Sequence, residues 1–449
     1  MYEIVVKINS FLWGNFLIIL LLGTGLYFSL KLRFVQVRKF GEGVRKVTGG
    51  LNLNGKAADE NGMSSFQALA TAIAAQVGTG NLAGAATALA SGGPGAIFWM
   101  WVSAFFGMAT VYAEAILGQV FKTRRDGQIT GGPAYYIEKS ISHKGLAKIL
   151  ACFFSVACIV ALGLIGNAVQ ANSIAVAFDT AFGISPALVG IGIAILAGFV
   201  FFGGVKRIAS VTEKLVPIMA AAYIIACIII LFINYKEIMP ALTSIFVSAF
   251  DPQAALGGAM GVTVKQAVRY GVARGLFSNE AGMGSTPHAH AIAKVAHPGE
   301  QGIVAFITVF IDTFVVLTCT ALVILTSKIP LHSATGIVLT QNAFRDTLGG
   351  MGYAFIAICL LFFAFSTIIG WYFFGEANIR YLFEGEKAIN VYRALVMIMI
   401  VFGSLLKVDL IWQLADMFNG MMVLPNLIGL LALRKVVKDS MVDYEKLDN

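Results

Sequence analysis

Runs of mostly apolar residues recur along this chain from near one end to near the other, each about as long as the 20 residues a helix needs to cross a bilayer's hydrocarbon core. They lie near 11 to 30, 64 to 90, 96 to 121, 149 to 178, 186 to 203, 211 to 233, 302 to 327, 352 to 375, 389 to 406 and 410 to 433. Only 12% of the 449 residues are charged and 58% are hydrophobic, whereas a soluble domain carries roughly 25% charge. A surface facing water cannot be made from that. No Pro/Ser-rich or like-charged linker separates the runs, so one membrane domain is expected rather than the three that length alone would suggest. The five cysteines all fall inside apolar runs, where an unpaired cysteine acts as a small hydrophobe. They imply no disulfide or metal framework. The net charge of +8 would suit nucleic acid only as a basic stripe on a soluble fold.

The positive charge follows topology instead. The first run is too long for a signal peptide, and its basic residues (Lys31, Arg33, Arg38, Lys39, Arg45, Lys46) come after it, so it is expected to stay as a helix. Cytoplasmic loops collect Lys and Arg. Placing 31 to 63 inside puts 122 to 148 and 204 to 214 inside as well, and leaves the 179 to 185 loop, which has no Lys or Arg, outside. Hydropathy is weak between 234 and 301, where Lys265, Arg269 and Arg274 would be costly at the bilayer centre. A basic tail (Arg434, Lys435, Lys438, Lys446) that is also inside nevertheless requires one more crossing, between about 256 and 293. The expectation is an all-α membrane protein with eleven crossings, N-terminus outside and C-terminus cytoplasmic. It places 24 of the 32 Lys and Arg inside, five outside and three in the weak crossing.

Setting the first helix aside leaves ten, five and five, whose halves begin in opposite orientations. Residues 1–63 are then an accessory helix and basic loop, 64–235 and 236–433 two inverted five-helix repeats, and 434–449 a tail. Each half opens on a glycine-interrupted, polar segment. The first reads Gln76-Val77-Gly78-Thr79-Gly80-Asn81-Leu82-Ala83-Gly84, and the second Gly275-Leu276-Phe277-Ser278-Asn279-Glu280-Ala281-Gly282-Met283-Gly284. Interrupted helices at matching places in two inverted halves point to a transporter's midplane site. A broken helix exposes orphan N–H groups where it restarts and orphan carbonyls where it stops. The former suit a carboxylate, the latter an ammonium or sodium ion. A zwitterion is therefore expected with its carboxylate on Thr79, Gly80 and Asn81 and its ammonium toward the carbonyls of Phe277, Ser278 or Asn279. Close helix packing is the other reading of the glycines, since Gly80 and Gly84 form a GxxxG. A dinucleotide fingerprint is excluded for want of a preceding strand.

Residues 92 to 107 read Gly92-Gly93-Pro94-Gly95-Ala96-Ile97-Phe98-Trp99-Met100-Trp101-Val102-Ser103-Ala104-Phe105-Phe106-Gly107. This string resembles the signature of the alanine or glycine:cation symporter family. Gly78-Thr79-Gly80-Asn81, Gly131-Gly132-Pro133, Phe277-Ser278-Asn279-Glu280-Ala281-Gly282 and Phe374-Gly375-Glu376-Ala377-Asn378 extend the match over about 64 to 383. The resemblance implies a sodium-coupled, sometimes proton-coupled, symporter of alanine or glycine with a leucine-transporter-like fold. It also implies that Ser366 and Thr367 face the first broken helix and help hold sodium, with the carbonyls of Ala74, Val77 and Phe363 completing five oxygens. Local back-bonding of both hydroxyls is the alternative.

Asn167 and Gln170 are three apart and share a helix face. In a leucine-transporter-like fold that helix lines the site, which makes Gln170 a substrate contact; an interhelical hydrogen bond is the plainer role. Phe277 and Trp371 are expected to flank the site and to limit it to small side chains, with packing the alternative for Trp371. Trp99 and Trp101 read as packing or interface anchors. Glu114 reads as a partner for a basic or backbone donor before a proton-coupling group, and Asp312 as a reserve cation ligand or a partner for a neighbouring donor. His288 and His290, two apart and without a third ligand at metal spacing, do not suggest zinc. No HExxH, GxSxG or mid-span carboxylate pair supports an enzyme. Two unlike breaks argue for one occluding site rather than a channel, and a sodium-independent facilitator is the nearest rival. No cofactor beyond sodium is expected, and the functional unit is expected to be a monomer.

Overall fold

Backbone in hydrocarbon must satisfy its own hydrogen bonds, and nearly all of the chain is accordingly helical. The computed structural model describes residues 2–49, 62–125, 127–251, 263–406 and 408–447. The start of the weak crossing (256–262) and the later part of the first loop (50–61) lie outside the described residues.

Among the described residues, eight helices are long and apolar enough to span a bilayer. They are α1 (Tyr2–Lys31), α4 (Gly95–Val120), α5 (Lys144–Phe182), α7 (Gly204–Ile233), α10 (Pro298–Thr326), α12 (Gly350–Leu382), α13 (Glu386–Leu405) and α14 (Leu410–Ala432). A shorter apolar helix, α6 (Pro186–Phe201), lies between α5 and α7. Burial separates centre from rim. Two-thirds of the most apolar window of α12 is buried but only 28% of that of α7, whose Ile218, Ile225 and Phe232 face outward. Such an apolar exterior is what lipid requires.

Two further helices are interrupted. The first comprises α2 (Ser65–Gln76) and α3 (80–92); the second comprises α8 (Val264–Asn279) and the short α9 (Pro287–Ala291). Both begin with the same device: Ser64 and Gln67, like Thr263 and Gln266, cap each other's backbone N–H groups reciprocally. Serine or threonine followed three residues later by glutamine marks each helix start at the level of sequence. The second break falls later than expected. Helix α8 continues through Asn279, so Gly275 lies within it, where its bare Cα admits Ser103 of α4.

At one end of the bundle a two-residue parallel pair joins β1 (Met63–Ser64) to β2 (Ala293–Lys294), tying the entry of α2 to the exit of α9. Buried side chains close the same end. Gln119 donates to the carbonyls of His290 (2.5 Å) and Ala293 (2.9 Å), Gln67 to Glu213 (3.0 Å), and the Thr71 and Thr212 hydroxyls meet at 3.1 Å. The tail expected from residue 434 is helical over Arg434–Leu447. Its Glu445 pairs with Arg33 and Arg38, and its Tyr444 donates to Glu42 at 2.5 Å.

Candidate substrate and ion site

The first break is short. Helix α2 stops because Val77 leaves helical geometry (φ −80°, ψ 89°), and the chain is helical again from Thr79. The amides freed there find side chains: Gly78 donates to Asn81 Oδ1 at 3.0 Å, and Thr79 donates to Gln170 Oε1 at 3.1 Å. Gln170 on α5 thus holds the break itself. Asn167, on the same face, donates to Gly163 within its own helix (3.1 Å). The buried Thr79 hydroxyl and Gln76 Oε1 have no partner among the described residues, an arrangement that costs roughly 1–3 kcal/mol for each polar group left unsatisfied.

The second break is longer. After Asn279 the backbone turns through Glu280 (φ +58°), Gly282 (φ +88°) and Gly284 (φ +81°) before α9. Left-handed positions favour glycine, and Glu280 adopts one while its carboxylate is gripped: it accepts from Trp371 Nε1 at 2.5 Å and from the Ser285 hydroxyl. Across from it on α4, Glu114 accepts from Gly284 N at 3.0 Å, from Gly282 N at 3.5 Å and from Asn426 Nδ2 at 2.6 Å. Asn426 of α14 also donates to the Gly282 carbonyl (3.0 Å) and accepts from Tyr136 (2.5 Å). A buried carboxylate between backbone donors is the partner role expected of Glu114.

The helix ends that flank the two breaks touch. A Cβ on Gly80 would stand 2.7 Å from the Ser278 Cα, so glycine there lets the segments meet. Gln76 donates to the Asn279 carbonyl at 2.7 Å. Asp312 on α10 joins the pair, accepting from Asn81 Nδ2 (2.7 Å) and from the Ser278 hydroxyl (3.0 Å), with Thr313 donating at 2.8 Å. Asn279 Nδ2 donates in turn to Thr313 (3.1 Å). Phe277 lies edge-on to Trp371 (centroids 5.6 Å) and tilted on Trp412 (4.7 Å), and the Trp371 indole packs against Gly166, where a Cβ would meet Cζ3 at 2.5 Å.

Behind the first break five oxygens gather. The Thr367 hydroxyl lies 2.9 Å from the Ala74 carbonyl, 3.5 Å from that of Val77 and 3.1 Å from that of Phe363. The Ser366 hydroxyl lies 3.3 Å from the Ala74 carbonyl and 2.8 Å from that of Phe363. Both hydroxyls therefore back-bond within α12 and reach α2 as well. A hard cation needs such an all-oxygen set. The histidines are placed apart: His288 bonds Asn378 (2.8 Å) and His290 bonds Gln301 (2.7 Å). No metal-binding cluster of His, Cys, Asp and Glu occurs among the described residues. Trp99 and Trp101 anchor α4 by hydrogen bonds to the Ala249 carbonyl (3.2 Å) and the Thr318 hydroxyl (2.8 Å).

Several residues of this network escaped the sequence reading as site residues. Gln76 and Glu280 stood inside the quoted segments but were given no role, and Asn426 is one of three side-chain amides in an apolar helix, with Gln413 and Asn419, a polar signal that could have singled it out.

Interrupted helices meeting at the centre of a membrane bundle define a transporter of the leucine-transporter-like fold. MhsT, solved in complex with L-phenylalanine, superposes with a TM-score of 0.60 at 14% identity, over 86% of this chain and 98% of that one. A sodium-coupled sialic acid symporter superposes at 0.53 and 15% identity, over 90% and 82%. The chain belongs to the sodium:alanine symporter family, whose model matches residues 1–449. Similar proteins are the sodium/alanine symporter AgcS of Methanococcus maripaludis (44% identical; 97% of this chain, 95% of the relative) and the probable sodium/glutamine symporter GlnT of Bacillus subtilis (42%; 98% and 89%). The amino-acid carrier protein AlsT of B. subtilis is 40% identical over 98% and 91%. The protein is a multi-pass membrane transporter and not an enzyme.

Proposed function

We propose that this protein couples sodium entry to uptake of a small amino acid, alanine or glycine, by alternating access. The observation that carries the reading is the meeting of the helix ends beside the two breaks, at Gly80 and Ser278, with the Asp312 carboxylate bonded to Asn81 and Ser278. The amino acid's carboxylate binds at Thr79, Gly80 and Asn81. Its ammonium faces the last carbonyls of α8, at Phe277, Ser278 and Asn279, which a helix C-terminus leaves without intrahelical partners. The flanking helix ends touch, so a ligand between them parts them, and Gln170, bonded to the Thr79 amide, moves with the first. Phe277 and Trp371 restrict the ligand's side chain.

Sodium sits among the carbonyls of Ala74, Val77 and Phe363 and the hydroxyls of Ser366 and Thr367, with Asp312 the reserve site. The ion replaces the hydroxyl contacts between α2 and α12 and braces the first break. Eleven crossings fit the helices described, counting each interrupted pair once. Residues 1–63 form the accessory part, 64–235 and 236–433 the inverted repeats, and 434–449 the cytoplasmic tail. The strand-pair end is cytoplasmic and the N-terminus outside, the orientation that keeps most Lys and Arg inside. The monomer is the working unit. Uptake of labelled alanine and glycine into proteoliposomes tests this reading: an inward sodium gradient drives accumulation, whereas uptake indifferent to sodium would mark a facilitator.

A further inference from the structure

A groove with a volume of about 540 Å³ runs down the outer face of the bundle between α7 and α12. Its walls include Ile218 and Ala222 of α7 and Phe362 of α12, all exposed on the surface that lipid covers. Along α7 it extends from Ser210 to Ala222, about 18 Å of helix, against the roughly 15 Å of one leaflet's hydrocarbon. A single acyl chain matches both that length and that apolar lining.

The groove is polar only at its basic end. There Ser210 and Lys214, four residues apart, stand on one face of α7. Lys214 is exposed and, among the described residues, has no ion pair and no hydrogen-bond partner. The neighbouring Glu213 is buried and bonded to Gln67, so it leaves the lysine unneutralised. Lys206, two turns nearer the helix start, is exposed as well. In the orientation proposed above this end is cytoplasmic. An ammonium at the foot of a lipid-facing groove meets headgroup phosphate there, and acidic headgroups attract it most.

The groove also backs onto the oxygen cluster. Met219, only 3% exposed, belongs to its inner wall, and the Ser366 hydroxyl lies 3.7 Å from the Met219 sulfur. A thioether side chain adapts to the space it is given, so whatever presses on Met219 from the groove is felt at Ser366.

We propose that this groove holds an acidic phospholipid of the cytoplasmic leaflet, with one acyl chain along α7 and its phosphate on Lys214 and Ser210, and that the bound lipid steadies Met219 against Ser366 and strengthens sodium binding. The second half rests on the reading of Ser366 and Thr367 as sodium ligands; the first half does not.

Lipid binding is tested by native mass spectrometry of the full chain in detergent, titrated with phosphatidylglycerol or phosphatidylethanolamine. Wild type is expected to hold one phosphatidylglycerol about fivefold more tightly than phosphatidylethanolamine, the factor for one cation beside an acidic headgroup. Lys214→Gln is expected to lose that preference. Ala222→Trp fills the groove from an exposed position without altering charge, and is expected to lose the tightly held lipid altogether. Equal binding of the two lipids by wild type, or a tightly held lipid in Ala222→Trp, would overturn the proposal. The link to sodium is read in proteoliposomes of phosphatidylethanolamine with and without phosphatidylglycerol, as the sodium concentration that gives half-maximal alanine uptake. Phosphatidylglycerol is expected to lower it about fivefold in wild type and to leave it unchanged in both variants. A wild-type sodium dependence indifferent to phosphatidylglycerol would overturn the link. Absence of any alanine or glycine uptake would bring down the transport reading and the link with it, while lipid binding stands or falls by the mass spectra alone.

Discussion

The two breaks perform one task with different means. The first leaves helical geometry for barely two residues and is held by neutral side chains: Asn81 on the Gly78 amide, Gln170 on the Thr79 amide. The second runs from Glu280 to Thr286 and is held by two buried carboxylates, Glu280 on Trp371 and Ser285, and Glu114 on the amides of Gly282 and Gly284. The difference is one of donor supply. A short break frees few amides, which amide side chains can match. A long one with two left-handed glycines presents its N–H groups together, and a carboxylate is the side chain that can accept several at once.

If that contrast is right, the largest effect comes from the carboxylate that supports the longer break. Glu114→Ala orphans the buried Gly284 amide, at about 1–3 kcal/mol, and leaves Asn426 Nδ2 only the Gly282 carbonyl as acceptor. Uptake is expected to fall to background and the Tm by several degrees. Near-normal uptake in a folded Glu114→Ala protein would mean the second break holds itself.

Gly80→Ala comes next, because its Cβ would stand 2.7 Å from the Ser278 Cα, and backbone cannot step aside cheaply. Uptake about a hundredfold lower is expected. Gly84→Ala is the control, since its nearest neighbour would be the Thr79 carbonyl at 3.8 Å; it should transport within about twofold of wild type. Equal damage from both would favour a plain GxxxG packing role over contact between the helix ends beside the breaks.

The first break is expected to depend less on any single partner. Gln170→Ala removes the acceptor of one amide, which predicts a KM raised about tenfold or more, from 1–3 kcal/mol. A change no larger than twofold would show that the Thr79 amide finds water instead. The smallest effect is on selectivity. Phe277→Ala is expected to let leucine compete with alanine within a few-fold of glycine, read as inhibition of labelled alanine uptake, while wild type discriminates against it.

What could be read from the sequence follows the same division. The first break was located from its glycines and polar residues on one segment; Asn81 was read as a substrate contact and Gln170 as a substrate contact or an interhelical bond, and their bonds to the Gly78 and Thr79 amides came only with the fold. The oxygen cluster around Ser366 and Thr367 entered through resemblance, since adjacent hydroxyls equally permit local bonding, and the structure has both. The second break was located and Glu114 was read as a partner for a donor, but nothing tied Glu114 to this break. Glu114 and Asn426 lie 312 positions apart, and only the fold brings them to Gly282. Arg274 was marked as costly in a membrane, yet nothing in the sequence tied it to Asp416, with which it pairs. The surface helix Tyr235–Ser248, in a region of weak hydropathy, also went unread, because it packs across the bundle's end rather than spanning it.

In the proposed function, sodium between α2 and α12 preorganises the first break for the amino acid, so ion and substrate must bind cooperatively and reciprocally. The direct measurement is alanine affinity against sodium concentration in wild type and in the double variant Ser366→Ala/Thr367→Ala. Wild type should bind alanine more tightly as sodium rises. The double variant should bind weakly at all sodium concentrations, with the dependence largely flattened. An unaltered sodium dependence in the double variant would contradict the account and move the cation elsewhere, with the Asp312 carboxylate between Asn81 and Ser278 the place to look next.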